Sequence, residues 1–552
     1  MSLPAFSTQS ELFSTAGLSA SLFPQTDRYR LFAQLVYPRL AAARAVLAKC
    51  YCADNGRLAL EPVLLLGVSL LQELDGVPDR QAIEMLRYHA GWNFALNRQL
   101  GDEVFHPTSL VNFRNRLTEH QQSALGFTTI LTALEEAGLV SRQSRQRLDS
   151  TQMFGRVARM SRLDCVRESL RLALQELDGV IGPPARPAFW SRLWERYVES
   201  QADYRASTET LTRKMVDAGT DARQLLVWLQ SPAQSAWAKG PQAQLLARVW
   251  DEEFEMGDGG AALAPKTSEQ LSSARVQNPH EPEATYAVKG QGEHKKEHVG
   301  YKVQVAETVC EATLAPGEPT RNFITGLVTH PAYESDEAGA VKMEAEQAAM
   351  GLEKPPVQYV DAAYISTQLL VQAQAEGREL IGPAPAAPHK AGRFAVEDFQ
   401  ISVEQSQAVC PAGKENTQCS RLEEAATGKV SYRFEFGTHC HDCPLRGQCL
   451  GPDQRHRTVT VGEHHTILQT RRREQRTDAF KERMKHRNAI EGTQSELVRA
   501  HGLRRARYRG LAKTKLQNYF VGAACNIKRW LRRAAWTLQH ELTVQPSVAA
   551  AL

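Results

Sequence analysis

The stretch His298–Val309, HVGYKVQVAETV, decides how the rest of the chain is read. Val299, Tyr301, Val303 and Val305 recur at every second position, and in a strand such residues share one face. The chain from about 160 to 255 has a helical period instead, so this stretch marks entry into a sheet. Working forward, RNFITGLVTHP (321–331) reads as a strand stopped by Pro331, and ESDEAGAVKMEAEQAAM (334–350) as a helix. PVQYVDAAYIS (356–366) reads as a strand ending in Asp361, TQLLVQAQAEG (367–377) as a helix with a glycine stop, and RELIGPA (378–384) as a further strand. Working backward, SRQRLDSTQMFGRVA (144–158) reads as a strand with Asp149 inside it. The order is strand, helical insert, strand, strand, helix, strand, helix, strand: a mixed α/β sheet with an insertion.

The insert carries Leu163, Val166, Leu170, Leu174 and Leu177 on one helical stripe, followed by Trp190, Trp194, Trp228, Trp237 and Trp250. Residues 256–292, with GDGG at 257–260, read as loop and not as a phosphate-binding motif. Upstream, residues 26–140 are helical in period, after a polar tail of about 25 residues. LEPVLLLGVSLLQEL (60–74) opens a helix at Glu61-Pro62, a good first-turn pair. DRQAIEMLRYHAGWNFAL (79–96) follows, and HPTSLVNFRNRLTEH (106–120) offers Thr108 or Ser109 as cap of a helix bearing Arg114 and Arg116. Short helices ending in an arginine-bearing one are compatible with a helix-turn-helix-like DNA binder, a pattern many all-helical domains share.

Of 552 residues, 42% are apolar and 23% charged, which excludes wholesale disorder. The net charge of +4 hides an imbalance: residues 471–533 hold 19 Lys/Arg against 5 Asp/Glu. A basic segment on a mildly acidic body points to a polyanion, most simply nucleic acid. No basic start followed by an apolar run opens the chain, and the longest apolar stretch, Val63–Leu71, is far short of the ~20 residues of a membrane span. The expectation is a cytoplasmic protein with no membrane partner.

In the basic segment, DAFKERMKHRNAIEGTQSELVRAHG (478–502) reads as one helix stopped by Gly502, with Met484, Arg487, Glu491 and Val498 on one face. Two strand aspartates, Asp149 and Asp361, and the helix glutamate Glu491 would suit a pair of Mg²⁺ ions, which favour carboxylate oxygens. Each acid also has a plain reading. Asp149 can cap a turn, Asp361 can cap the next helix (with Ser366 or Thr367 better placed), and Glu491 can pair with Arg487, worth about a few tenths of a kcal/mol. Ten cysteines in this length are no disulfide scaffold. Cys440-x2-Cys443-x5-Cys449 with Cys410 upstream is the composition of a closed structural zinc site, with His439 and His441 as alternative ligands and reduced surface thiols in a poorly ordered insertion as the other reading.

Several segments together resemble bacterial insertion-sequence DDE transposases with an RNase H-like catalytic domain and an InsH-type helical N-terminal domain. They are TSLVNFRNRL, LDST, NPHEPEATYAVKG, HVGYKVQVAET, YVDAAYIS, CPAG…CHDCPLRGQC, and the run from RNAIEGTQSELVRAHG to CNIKRW, in family order from about residue 30 to 535. The resemblance implies an RNase H-like mixed sheet over 141–535, with a helical insertion at 160–255 and a Cys-rich insertion at 405–460. An all-helical DNA-binding domain at 26–140 precedes it and a tail at 536–552 follows. It places Asp149, Asp361 and Glu491 as the DDE acids on two Mg²⁺ ions, with Mn²⁺ as a substitute. The implied activity is cleavage at transposon ends and transfer of the 3′-hydroxyl into target DNA. Alternatives are a catalytically silent DNA binder of transposon descent and a Mg²⁺-dependent nuclease without strand transfer. The implied partner is double-stranded DNA, both terminal inverted repeats and target, bound by a homodimer at the nucleoid. Arg114, Arg116, Arg487, Arg499, Arg504, Arg505, Arg507, Arg509, Lys513, Lys528 and Arg529 are the expected DNA contacts, with Asn526 as an extension. Related transposases often show Tyr-x2-Arg-x3-Glu-x6-Lys around the glutamate. Here Arg487 and Glu491 match, but Met484 and Val498 replace the tyrosine and the lysine, with Arg499 beside the latter.

Overall fold

The alternating stretch lies in a strand flanked on both edges. Strand β1 (Gln146–Phe154) runs antiparallel to β3 (Lys296–Thr308), with Asp149 opposite Val305. On its other edge β3 takes β4 (Ile324–Pro331), and its first five residues pair with β2 (Thr285–Lys289). Beyond β1 lie β5 (Val357–Tyr359) and β6 (Glu379–Ile381), both parallel to their neighbours. The path β4-β3-β1-β5-β6, three antiparallel strands continued by two parallel ones, is an RNase H-like mixed sheet. The structure, a computed structural model, describes residues 3–4, 17, 19–52, 58–99, 101–200, 207–257, 263–290, 293, 295–385, 392–425 and 428–544. Most of the expected 1–25 tail, and residues 258–260 of GDGG, lie outside the described residues.

Both faces of the sheet are covered. Helices α1 (Pro62–Asp75), α2 (Thr108–Glu119) and α3 (Leu125–Glu136) precede it. Three longer helices of the insertion, α4 (Arg162–Asp178), α5 (Thr208–Leu229) and α6 (Pro241–Glu253), form a core of their own between β1 and β2. After the sheet strands come α7 (Asp336–Ala349), α8 (Thr367–Ala375), α9 (His465–Glu474), α10 (Asp478–Asn488), α11 (Ile490–His501) and α12 (Leu511–Val544). On one face, Met153, Tyr301, Val303, Val305 and Leu327 share an apolar cluster with α12 and with the N-terminal helices. On the other, Leu148, Ala306 and Val328 pack against Met343 of α7 and Leu370 of α8. The close seat of α12 requires Gly522: a Cβ there would stand 2.1 Å from the Leu327 side chain. The helical run long and apolar enough to cross a membrane, Arg28–Ala48, sinks Phe32, Val36, Leu40 and Leu47 into this same core.

Several expectations change. The 256–292 segment is not all loop, because Thr285–Lys289 extends the sheet beside β3 and Leu263–Pro265 pairs with Phe254–Met256. The helix expected over 478–502 is two, α10 and α11. At Ala489 (φ −65°, ψ −12°) the carbonyl accepts from Gly492, three residues on. Gly502 (φ 70°) is the left-handed stop, as its sequence position suggests. The helix expected over 79–96 breaks at His89, whose ring nitrogen caps Trp92. Residues 405–460, expected to be loop-rich, build a three-stranded sheet of β7 (Gln418–Glu423), β8 (Val430–Glu435) and β9 (Thr458–Gly462). That sheet packs through Phe434 against Phe399 and Phe436. Finally, α12 runs on to Val544, past the expected boundary at 535.

Candidate active site

Asp149 sits inside β1, on the face it shares with Met153, and is 7% exposed. Its Oδ1 accepts from the Ser150 backbone N–H at 2.8 Å, and its Oδ2 accepts from Arg487 Nη2 at 3.0 Å. Burial pushes its pKa up, while the Arg487 guanidinium and the Ser150 N–H pull against that rise. Asp361 lies just past β5 and caps the short turn Ala362–Tyr364 through Oδ1, which accepts from Ala363 N–H at 2.8 Å. Its other oxygen stands 3.6 Å from the same Arg487 Nη2. The cap leaves one oxygen open, and Ser366 caps α8. Glu491, in the first turn of α11 and well exposed, brings Oε1 to 3.6 Å from Arg487 Nη1. Three carboxylates, from residues 149, 361 and 491, thus surround one guanidinium.

A buried ionic group fixes this meeting. Glu307 of β3, fully buried, accepts from Arg147 Nε at 2.6 Å and from Thr493 Oγ1 at 2.7 Å, and pairs with Arg529 Nη1. Arg147 Nη1 donates to the His486 carbonyl at 3.0 Å, next to Arg487. Arg529 continues to Thr493 Oγ1 at 2.9 Å and to Glu496 Oε2. Thr493 and Glu496 follow Glu491 on α11, so the group sets the rotation of the helix that presents Glu491. Gln494 adds a bond to the Ser150 carbonyl at 3.1 Å. Sequence reasoning missed Glu307 as part of the site. Its one signal was an acid at the next position of the face that Val299, Tyr301, Val303 and Val305 share.

The arginine loop is held on the same strand. Phe154 N–H donates to the Arg504 carbonyl at 2.9 Å, and Ala506 N–H donates back to the Phe154 carbonyl at 2.9 Å. Arg499, Arg504, Arg505, Arg507, Arg509 and Lys513 are exposed around it, with Arg507 also paired to Glu73. Other expected DNA contacts are engaged inside the protein. Arg529 is 4% exposed and closed into the Glu307 group, Lys528 pairs with Glu496 at 3.0 Å, and Asn526 is bonded both ways to the backbone of Ile324. Arg114 grips Asp79 through both nitrogens and lies over the Tyr508 ring, and Arg116 lies over the Tyr51 ring at 4.5 Å. In this structure Arg114, Lys528 and Arg529 are thus each engaged in an ion pair within the protein. Met484 and Val498, the two departures from the family pattern, are packing residues: Met484 against Val357, Tyr359 and Ile381, Val498 against the main core.

Two family models match the chain. One, described as a transposase DDE domain, covers residues 409–531; the other, a transposase domain (DUF772), covers residues 19–116. Both matches are to transposase domains, and together they support an insertion-sequence DDE transposase. The first match takes in Glu491 and the clustered cysteines but does not reach Asp149 or Asp361. No curated protein matches the transposase. Its substrate class is therefore DNA, and domains of this kind work with a divalent metal.

In the transposase, Cys410, Cys440, Cys443 and Cys449 line one cavity of about 20 Å³, together with His439 but not His441. Burial raises the Cys449 thiol, Arg457 opposes the rise, and the other three thiols add to it. The only three ligand atoms within 4.8 Å of one another among the described residues lie elsewhere, on Glu496, His501 and Cys525. The four thiols line their cavity without closing to that spacing. At Glu496 both oxygens are already taken, by Lys528 at 3.0 Å and Arg529 at 2.9 Å, so a dication there would stand against two fixed cations. Burial would raise Glu496, but Arg529 and Lys528 hold it down to about 2. Burial, helped by Lys528, pushes His501 down to about 4.

Proposed function

We propose that Asp149, Asp361 and Glu491 are the catalytic acids of this transposase, holding divalent cations for cleavage of transposon ends and strand transfer into target DNA. The observation that supports the reading is the meeting of these three carboxylates at one guanidinium, beside an exposed arginine loop bonded to the strand that carries Asp149. The donor set suits Mg²⁺ or Mn²⁺, because it offers only carboxylate oxygens. A bound pair of such ions supplies activation of the attacking oxygen and stabilisation of the leaving one. The protein's own part is positional. Ser150 N–H and the sheet fix Asp149, the 362–364 turn fixes Asp361, and the Glu307 group fixes the helix of Glu491. Arg504, Arg505 and Arg509 would hold the DNA backbone without reading sequence. The 26–140 region as end-binding domain, the 141–535 region as catalytic domain, and a homodimer at work on the nucleoid belong to the same reading.

The test is cleavage of end-sequence DNA with Mg²⁺ by the wild type, Asp149→Asn, Asp361→Asn and Glu491→Gln. Each variant should retain DNA binding and lose cleavage by about 10²–10³-fold or more. Unchanged cleavage in all three removes the assignment. A wild type that binds but never cuts is the silent binder, and one that cuts without joining is the nuclease.

A structural zinc ion on Cys410, Cys440, Cys443 and Cys449 is the second reading, favoured by the one cavity that the four thiols line. Elemental analysis of purified protein should then find about one zinc per chain, reduced in Cys443→Ser. A metal-free, fully folded protein would end it.

A further inference from the structure

We infer that Arg487 is an internal counter-cation that competes with divalent metal for the three carboxylates, so that DNA and metal bind cooperatively through one side chain. This rests on the three acids being the metal site. A single nitrogen, Arg487 Nη2, stands 3.0 Å from Asp149 and 3.6 Å from Asp361, while Nη1 of the same group faces Glu491 at 3.6 Å. A cation that ligated both aspartates would need the space this nitrogen fills, so guanidinium and metal exclude each other. The arrangement is also electrostatically incomplete. Three carboxylates share one arginine, with Lys289 adding only a weaker pull on Asp149, and the cluster keeps a surplus of negative charge for a dication.

The arginine is not comfortably housed. Its side chain is 16% exposed, and its buried Nε has no hydrogen-bond partner. Arg487 is the penultimate residue of α10, two before the break at Ala489, and the exposed arginine loop is bonded to Phe154, on the strand that carries Asp149. A phosphate entering there offers oxygens to a guanidinium in fork geometry, including a partner for Nε. The side chain that leaves the carboxylates for phosphate vacates the position the metal takes. Linkage makes the effect reciprocal: DNA raises metal affinity by the factor by which metal raises DNA affinity. The free protein then holds its catalytic acids partly neutralised and weakly metallated until DNA arrives.

The experiment measures Mn²⁺ binding to the full chain by loss of the free-ion paramagnetic resonance signal, with and without a short duplex of arbitrary sequence. Arg487→Met and Arg487→Gln are compared with wild type, with circular dichroism confirming the fold. Without DNA, both variants should bind Mn²⁺ at least about tenfold more tightly than wild type. The duplex should tighten Mn²⁺ binding by wild type and leave the variants nearly unchanged. Equal or weaker Mn²⁺ binding by both variants overturns the inference, as does an equal duplex effect in wild type and variants. Asp149→Asn separates the levels. If it abolishes Mn²⁺ binding while Arg487→Met fails to strengthen it, only the competition is wrong. If it binds Mn²⁺ as wild type does, the three acids are not the metal site, and both readings fall together.

Discussion

Two clusters of arginine and carboxylate lie a few residues apart and are built to opposite rules. Around Glu307, one carboxylate is shared by Arg147, Arg529 and Thr493, and both arginines and the acid are at most 5% exposed in their side chains. Around Arg487, one cation is shared by three carboxylates whose side-chain exposure rises from 10% at Asp149 to 37% at Asp361 and 73% at Glu491. The first cluster has cations enough to satisfy its acid, and these groups are almost wholly out of solvent. It is a fastener. The second has more acid than base and opens outward, which is how a protein keeps charge in reserve for something that is not yet bound.

The most severe way to break this contrast is to open the closed cluster. Glu307→Ala leaves Arg147 and Arg529 buried without their shared partner, and should lower unfolding stability by about 3–5 kcal/mol in denaturant titration. Asp361→Asn in the open cluster should leave the denaturation midpoint near that of wild type. Equal losses from the two variants would erase the distinction.

Acid sharpens it next. His501 borders the closed cluster, facing Glu496, Lys528, Arg529 and the Glu73 backbone, and its folded pKa is about 4 against about 6.5 unfolded. Between those values the unfolded chain binds more protons, so stability is intact above about pH 6.5 and falls as pH drops toward 4. The loss should approach about 3 kcal/mol, and His501→Phe should flatten that limb of the stability–pH curve by about one proton. An unchanged slope in the variant would mean that another group carries the acid response. Buried His465, pushed down to about 4 by burial and then Arg472, is the candidate.

The smallest effect separates exposed from internal arginines. Removing Arg504 or Arg505 should lower the salt slope of duplex binding by about 1 each, for any sequence. Arg114→Ala and Arg529→Ala should leave that slope unchanged, since both side chains are committed to carboxylates. A slope change at Arg529 equal to that at Arg505 would return it to the DNA surface.

What the sequence revealed follows from how local each signal is. The β3 strand, the glycine stop at 502 and the helical insertion all rest on neighbours in the chain, and periodicity or a single residue type displays them. Asp149, Asp361 and Glu491 could be named only by resemblance, because nothing local distinguishes them from the other acids. The partners that decide whether an arginine faces DNA or the interior were invisible. Arg529 finds Glu307 across more than two hundred residues, and Arg114 finds Asp79 from another helix. Strand β2 escaped because five residues, partly exposed, carry too little alternation to stand out from a loop. The break at Ala489 escaped because alanine is the residue least expected to interrupt a helix.

The single apolar cluster that joins the N-terminal helices, α12 and the sheet has a consequence for how such a chain can evolve. Its two family-matched regions are not beads on a string. Exchanging the front portion for an unrelated one would strip Phe520, Leu516 and their neighbours of cover, so a viable swap must bring matching side chains along the whole flank of the long helix. Change in such a chain should therefore accumulate by surface substitution within one inherited body, and wholesale shuffling should be rare among its descendants.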